Sequence, residues 1–189
     1  MHTIPSFDPS RPKAALYRDL VRELHALLEG EPDLVANAAN TAALLYHGLP
    51  ELNWAGFYFL KGGELVLGPF QGKPACVRIA VGKGVCGTAV ARREPLLVPD
   101  VEAFPGHIAC DAASRSELVV PLLRAVDGAP FGVLDLDSPA VARFDEEDRR
   151  GCIALAAIFV QAVAVQAVAV RADDDGGADY AGLSGKARS

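Results

Sequence analysis

Apolar residues recur at helical spacing in the first quarter of the chain and predict two amphipathic helices. The first begins near Lys13 and ends at Gly30, a residue that commonly closes a helix. The second is predicted over residues 34–46, because Asp33 is a suitable N-cap and Pro50 stops the pattern. We expect both to be scaffold helices without a catalytic part.

The pattern then changes to short apolar runs separated by turn residues, which is typical of an antiparallel sheet. Hairpin signals occur at Gly62-Gly63 and at Asp127-Gly128. A short helix is predicted over residues 85–91. These features predict an α+β domain with a mostly antiparallel sheet. The predicted strands cover residues 53–60, 65–70, 74–80, 96–100, 117–126 and 130–137.

A long apolar segment, residues 152–170, closes the pattern and is interrupted only by Gln161 and Gln166. Its length approaches that of a membrane span. However, it consists mostly of alanine and valine, and the charged residues 145–150 run directly into it as a first helical turn. We therefore predict a buried helix that packs on the sheet, with one face available to a second subunit, and no membrane association.

The composition is that of one ordinary globular domain. The 189 residues are 51% hydrophobic and 22% charged, which is enough for a substantial core. We predict a flexible arm over residues 1–11, the domain over 12–171, and a disordered acidic tail over 172–189. The net charge of −6 and the absence of a basic cluster argue against a nucleic-acid partner.

The four cysteines carry the chemical information of the chain. The N-terminus lacks the apolar core of a secretory signal, so we predict a cytoplasmic protein whose thiols are kept reduced. Nine residues separate Cys76 from Cys86, and twenty-three separate Cys86 from Cys110. These gaps do not match the closely spaced pairs of zinc sites, so we predict no metal.

Thiols and carboxylates fall on neighbouring strand ends and loops. Cys110 lies in a polar connection that leads to Glu117 and then into an apolar strand. Asp135 and Asp137 alternate on the next strand and are expected to share one face of it. This arrangement predicts a redox site with a place for a cationic group.

Two further cysteines flank a glycine-rich turn at residues 82–84. Cys76 precedes the turn, and Cys86 falls in the first turn of the short predicted helix. A helix N-terminus favours a thiolate, so the sequence predicts a lowered pKa for Cys86. Cys152, on the apolar helix, is predicted to be a small core residue.

Seven blocks of the sequence together resemble a known family. Over residues 35–165 their order and spacing are similar to a GAF domain, an α+β fold with a six-stranded antiparallel sheet and helices packed behind it. Within that superfamily the chain most resembles the free methionine-(R)-sulfoxide reductases. The blocks are NWAGFY (53–58), LGPFQG (67–72), GKGVCGTA (82–89), VPDV (98–101), HIACD (107–111), SELVVP (116–121) and GVLDLDS (132–138).

The resemblance implies an enzyme that reduces free L-methionine-(R)-S-oxide to L-methionine. It makes Cys110 the attacking thiolate, Cys76 the resolving cysteine and Cys86 a third redox position. The order remains open at this point, because Cys86 is also suited to attack first or to relay the disulfide. The remaining implied site residues are the carboxylates Glu117, Asp135 and Asp137 and the aromatic pocket wall formed by Trp54 and Tyr58.

The resemblance also implies the partners. The enzyme would hold no bound cofactor, pass through a cysteine sulfenic acid and an intramolecular disulfide, and be reduced again by thioredoxin, with NADPH and thioredoxin reductase upstream. A homodimer is expected. Two alternatives stay open: a non-catalytic GAF module that senses a small molecule or redox state, and a dimerisation unit built on the helix at 152–170. Three cysteines at these spacings favour the enzyme.

Overall fold

The computed structural model describes residues 4–5, 8, 10–106 and 112–173, with side chains as far as residue 164. Cys110, most of the predicted arm and the tail beyond residue 173 lie outside these described residues. The elements are α1 Lys13–Leu28, α2 Leu34–Gly48, β1 Trp54–Lys61, β2 Glu64–Gly72, β3 Arg78–Ala80, α3 Gly84–Arg92, β4 Leu96–Val98, β5 Ser116–Leu123, β6 Pro130–Ser138 and α4 Glu146–Asp173.

The six strands form one sheet in the order β3-β2-β1-β6-β5-β4. Every pair of neighbouring strands in it is antiparallel. The predicted α+β class and six-stranded antiparallel sheet are therefore confirmed. Strands β1 and β6 are central, with β2 beside β1 and β5 beside β6, so four long strands form the middle of the sheet and the short strands β3 and β4 form its edges.

The helices begin where the sequence predicted them. The side chain of Asp33 accepts a hydrogen bond from the backbone N–H of Ala36 and caps α2. Asp145 does the same for α4, accepting from the N–H groups of Glu147 and Asp148 at 2.8 and 3.0 Å. These side chains satisfy backbone donors that the first turn of a helix leaves without a partner.

The third strand is shorter than predicted. The sequence indicates a strand over residues 74–80, but β3 covers only Arg78–Ala80, and Cys76 lies in the loop before it. Strand β2 pairs with β3 only from Glu64 to Val66. Further along β2, Pro69 has no N–H to donate, and Pro74 has none on the opposite side, so the ladder cannot continue.

The two faces of the sheet carry separate apolar clusters. The larger cluster lies between the sheet and helices α1, α2 and α4, and includes Phe57, Leu118, Leu134 and Phe159. The smaller one lies under α3 on the opposite face and includes Trp54 and other residues of β1, β5 and β6. Because side chains alternate along each strand, these three strands contribute to both clusters.

Helix α4 is a core helix, as its pattern predicted. It packs most extensively against α1, where a Cβ atom on Gly151 would lie only 2.1 Å from the ring of Tyr17. Cys152 is fully buried in the larger cluster, which confirms its prediction as a core residue. None of the helices in the described part of the chain has the length and apolarity that a membrane crossing requires.

A buried aspartate ties the start of α1 to the start of α4. Asp148, which has no solvent exposure, accepts hydrogen bonds from Lys13 Nζ at 2.7 Å and from the Tyr17 hydroxyl at 2.8 Å. Arg143, from the segment before α4, donates to it at 3.1 Å and also donates to the carbonyl of Pro50. The carboxylate therefore joins α1 to the segment before α4, and Arg143 extends the link to the backbone at Pro50.

Candidate active site

The predicted site residues converge on the sheet face that α3 covers. Asp135 and Asp137 occupy alternate positions of β6, and Glu117 lies on β5 directly opposite Asp137. Their common face is the one expected from the period-two pattern. Helix α3 crosses above them, and its third residue is Cys86.

A thiol and two carboxyl groups are in close contact there. Cys86 Sγ donates a hydrogen bond to Glu117 Oε1 at 3.8 Å. One atom each from Cys86, Glu117 and Asp135 lie within 4.8 Å of one another. All three side chains are buried, with exposed fractions of 3, 6 and 5% respectively.

Burial favours the protonated forms of both acids, and repulsion by neighbouring acids adds to this effect at Glu117. Loss of water raises the pKa of Glu117 well above its usual range, and the charges of Asp135 and Asp137 raise it further. Burial raises the pKa of Asp135 to about 6, although hydrogen bonds from Cys86 and Glu117 oppose the shift. Near neutral pH the pair therefore holds a proton that Glu117 can donate.

The prediction of a lowered pKa for Cys86 is wrong. Burial raises its thiol pKa well above the usual range, and the charges of Asp135 and Glu117 act in the same direction. The helix N-terminus is present as predicted, but its modest effect is outweighed by desolvation and two neighbouring acids. Cys86 is therefore a neutral hydrogen-bond donor at neutral pH.

One acceptor in the cluster is left unused. Asp135 Oδ1 is buried, and among the described residues it has no hydrogen-bond partner. A buried carboxylate oxygen without a donor is costly, so this atom is suited to accept from a bound ligand. Asp137 is only partly buried and lies two residues further along the same face, so two acids border this position.

Aromatic rings lie on the same sheet face as this cluster. Trp54 stacks on Tyr58 with ring centres 5.8 Å apart and on Phe70 at 5.4 Å, and its indole N–H donates to the carbonyl of Lys73. Gly56 lies between the two predicted residues, and a Cβ there would approach Trp54 Cη2 within 2.7 Å. Gly56 and Phe70 were not predicted as site residues; a glycine two residues after the tryptophan was the available signal.

Cys76 lies outside the buried cluster. It is half-buried in the loop before β3 and is disulfide-bonded, whereas Cys86 and Cys152 are free thiols. Cys110, the predicted attacking thiolate, falls in residues 107–111 and lies outside the described residues. The structure therefore brings Cys86 to the carboxylates and places Cys76 at the surface of the same region.

The segments that flank residues 107–111 are fixed to the sheet. Ser114 is buried and accepts a hydrogen bond from the Asn53 side chain at 3.0 Å. The Arg115 N–H donates to the carbonyl of Ser138 at 2.7 Å, and the Val101 N–H donates to the carbonyl of Arg115. The described segments on either side of residues 107–111 thus lie beside the ends of β5 and β6 that carry Glu117 and Asp137.

The same cluster has donor atoms that a metal ion accepts. A thiolate and two carboxylates are zinc ligands in proteins, and the spacing argument, which considers only neighbours in sequence, did not identify this group. The three groups hydrogen-bond to one another, however, so a shared proton already satisfies most of them. The prediction of no metal remains a prediction.

Comparisons with known proteins agree on one family. The GAF domain model matches residues 14–169. The chain is 56% identical to the free methionine-R-sulfoxide reductase of Escherichia coli, and the match covers 77% of this chain and 87% of that protein. It is 42% identical to the free methionine-R-sulfoxide reductase of Saccharomyces cerevisiae, with 77% of this chain and 84% of that protein covered.

A solved structure gives the same result in three dimensions. The free methionine-R-sulfoxide reductase from Neisseria meningitidis, determined in complex with its substrate, superposes with a TM-score of 0.82 and 45% identity. The match covers 88% of this chain and 99% of that one.

Proposed function

Because the chain belongs to the free methionine-R-sulfoxide reductase branch of the GAF-domain family, we propose that it reduces free L-methionine-(R)-S-oxide to L-methionine. The observation that carries the proposal is the buried cluster of Cys86, Glu117 and Asp135 beside the aromatic wall. Such a cluster offers a proton donor, a cation acceptor and an apolar surface to one small molecule.

The first step transfers the sulfoxide oxygen to a cysteine. The Cys110 thiolate attacks the sulfoxide sulfur while Glu117 protonates the departing oxygen, which ends on Cys110 as a sulfenic acid. Two electrons pass from the cysteine sulfur to the substrate, and methionine leaves. The raised pKa of Cys86 supports Cys110 as the attacking group, because a thiol held neutral is a poor nucleophile.

The second step closes a disulfide. A second thiolate, Cys76, attacks the sulfenic sulfur and releases water, so the Cys76–Cys110 disulfide holds the oxidising equivalents. Support comes from Cys76, which is disulfide-bonded while Cys86 and Cys152 are free, in a chain with four cysteines. Cys86 then serves as a hydrogen-bond donor and as a third redox position.

The acids provide the preference for a free amino acid. Asp135 Oδ1, which has no partner among the described residues, and the nearby Asp137 would accept the α-ammonium group of the substrate. A methionine sulfoxide residue within a peptide lacks that group, so it would leave the buried acceptor unsatisfied. Trp54 would pack the S-methyl group, since aromatic rings contact sulfur favourably.

The external partners follow from the disulfide. Thioredoxin, supplied by NADPH and thioredoxin reductase, would return Cys76 and Cys110 to thiols without a bound cofactor. A cytoplasmic homodimer remains our prediction for the working protein.

The test is a thioredoxin-coupled assay of NADPH oxidation with three substrates: the free (R)-sulfoxide, the free (S)-epimer and an N-blocked (R)-sulfoxide. We expect turnover with the first substrate only. Cys110→Ser should abolish it, and Cys76→Ser should permit about one turnover per subunit because the sulfenic acid cannot be resolved. A parallel series with a chelator should give the same rates.

Two results would contradict the proposal. Full turnover with the N-blocked sulfoxide would remove the role of the acids in recognising the ammonium group. The non-catalytic sensor would be favoured if wild-type protein bound the free sulfoxide but oxidised no NADPH in the coupled assay. It should then also form no methionine when dithiothreitol replaces the thioredoxin system.

A further inference from the structure

The surface beside Cys76 combines exposed apolar residues with basic side chains. Val77, the next residue, is 64% exposed, and Val81, at the far end of β3, is 41% exposed. They are two of the six large hydrophobic residues exposed in the described part of the chain. A strand rises about 3.3 Å per residue, so the two valines, four residues apart, are about 13 Å apart along the sheet edge.

Basic residues lie within four positions of these valines in the sequence. Lys73, Arg78 and Lys83 are all exposed, in a chain whose net charge is −6. Arg78 forms an ion pair with Glu64 at 3.4 Å, with both side chains about half exposed. The surface therefore combines apolar residues with a polar rim, as protein interfaces do, and here the rim residues are basic. We call these five residues, Lys73, Val77, Arg78, Val81 and Lys83, the Cys76 surface.

The fold leaves this surface accessible. Strand β3 is the outer strand of the sheet, and within the described residues its pairing partner is β2 on one side only. Cys76 is half-buried, whereas the free thiols Cys86 and Cys152 are 3 and 0% exposed. Among the described cysteines, Cys76 is the one that a thiol from another protein can approach.

We propose that the Cys76 surface is the docking site of a protein dithiol reductant with an acidic or apolar contact face. The inference rests on the proposed function, because it needs a disulfide to be reduced. The reductant's first thiolate attacks Cys76 Sγ, forms a mixed disulfide and releases the other cysteine as a thiolate. Its second thiol then displaces Cys76, so two electrons enter the enzyme and the reductant leaves as a disulfide.

The experiment compares a protein reductant with a small one. Steady-state reduction of the free (R)-sulfoxide is measured with thioredoxin and, separately, with dithiothreitol, which needs no docking surface. For Val77→Asp and Val81→Asp we expect the KM for thioredoxin to rise about tenfold, with kcat/KM for dithiothreitol within about twofold of wild type. The Lys83→Glu variant should also raise the KM for thioredoxin and weaken its salt dependence.

Val126→Asp is the matched control. Val126 is 89% exposed, but it lies in the turn between β5 and β6. This turn follows the end of β5 that is farther from Glu117. The same change of size and charge there should leave both reductants unaffected.

Several outcomes would overturn the inference. An unchanged KM for thioredoxin in both valine variants would exclude this surface as the docking site. The same conclusion would follow if the variants changed subunit association but not that KM. Equal losses of kcat/KM with thioredoxin and with dithiothreitol would show that the substitutions impair the active site rather than docking. If wild type fails with dithiothreitol too, the proposed function fails, which separates the two failures.

A trapping experiment gives an independent result. A thioredoxin whose second cysteine is replaced by serine should accumulate as a mixed disulfide on Cys76, identified by peptide mass spectrometry. Trapping on Cys110 instead would contradict Cys76 as the point of attack.

Discussion

Glu117 and Asp135 hold two carboxyl groups side by side beneath the Cys86 thiol. Folding removes both acids from water, and the pKa of Asp135 rises from 3.8 to about 6 as a result. An unfolded chain gives up that proton more readily, so stability falls as the pH rises from about 4 to about 6 and stays lower above that range. The site therefore carries a cost in stability at neutral pH.

Replacing the acid should remove this cost. We expect Asp135→Asn to raise the free energy of unfolding at pH 7.5 by on the order of 2 kcal/mol, or roughly 4–8 °C in Tm, while kcat/KM for the sulfoxide falls. At pH 4 the gain should largely vanish, because wild-type Asp135 is mostly protonated when folded and the penalty has not yet developed. Thermal unfolding of both proteins at pH 4 and pH 7.5 measures the difference in Tm between the variant and wild type.

Asp127→Asn is the control for this prediction. Asp127 is exposed, and a hydrogen bond from Arg124 lowers its pKa, so the same substitution should not stabilise the protein. A Tm for Asp135→Asn at or below that of wild type at pH 7.5 would contradict the burial cost.

Sequence reasoning placed these acids together but did not find their ionisation. The alternation of Asp135 and Asp137 predicted a shared face, and the structure confirms it. The prediction of a lowered pKa for Cys86 was wrong because it considered only the start of the helix, which is visible in the local sequence. Glu117 is thirty-one residues away, and only the fold brings it to Cys86. Desolvation depends on tertiary packing, which the local sequence pattern did not show.

At the scale of elements, α3 is positioned by its closeness to the turn after β3. Gly87 follows Cys86 on this helix, and a Cβ atom there would lie 2.3 Å from the carbonyl oxygen of Ala80. A backbone atom cannot rotate away, so any larger residue must move α3 relative to the sheet. The position of the Cys86 thiol over Glu117 thus depends on this contact.

We expect Gly87→Ala to lower kcat/KM for the sulfoxide at least tenfold in protein that remains folded by circular dichroism. Gly151→Ala introduces the same methyl group against the Tyr17 ring, on the opposite face of the sheet. That variant should lose roughly 1–3 kcal/mol of stability through overpacking but keep kcat/KM per folded molecule. Equal effects of the two variants on kcat/KM would contradict the positioning role of Gly87.

The elements themselves were largely predictable, since periodicity and turn residues identified four helices and six strands. The exception was β3, where an apolar run that includes Cys76 resembles a strand. Pairing depends on the partner strand, and Pro69 in β2 ends it. That information lies in another element, so the local pattern alone could not supply it.

At the scale of the whole molecule, Asp148 joins parts of the chain that are more than 130 residues apart in sequence. It has no exposure and accepts from Lys13, Tyr17 and Arg143. Asp148→Ala would leave the buried Arg143 guanidinium without its carboxylate. We expect a loss of about 3–5 kcal/mol in unfolding free energy, measured by urea denaturation.

Glu147→Ala provides the comparison, because Glu147 precedes Asp148 on the helix and is exposed. It should change stability by less than about 0.5 kcal/mol. A similarly small effect of Asp148→Ala would show that the carboxylate contributes little beyond its own desolvation. The sequence pattern predicted only a charged first helical turn here, since nothing local distinguishes Asp148 from its neighbours.

Cys152 lies on the helical side of the sheet, away from the chemistry of the other cysteines. It is fully buried, Tyr17 contacts its sulfur at 3.8 Å, and burial raises its pKa to about 12. In an unfolded chain the same thiol has an ordinary pKa of about 8.5 and reacts readily with alkylating reagents. The rate at which Cys152 is alkylated should therefore report how often a molecule opens completely. Mass spectrometry of that single peptide would measure conformational stability at trace concentrations and in crude extracts.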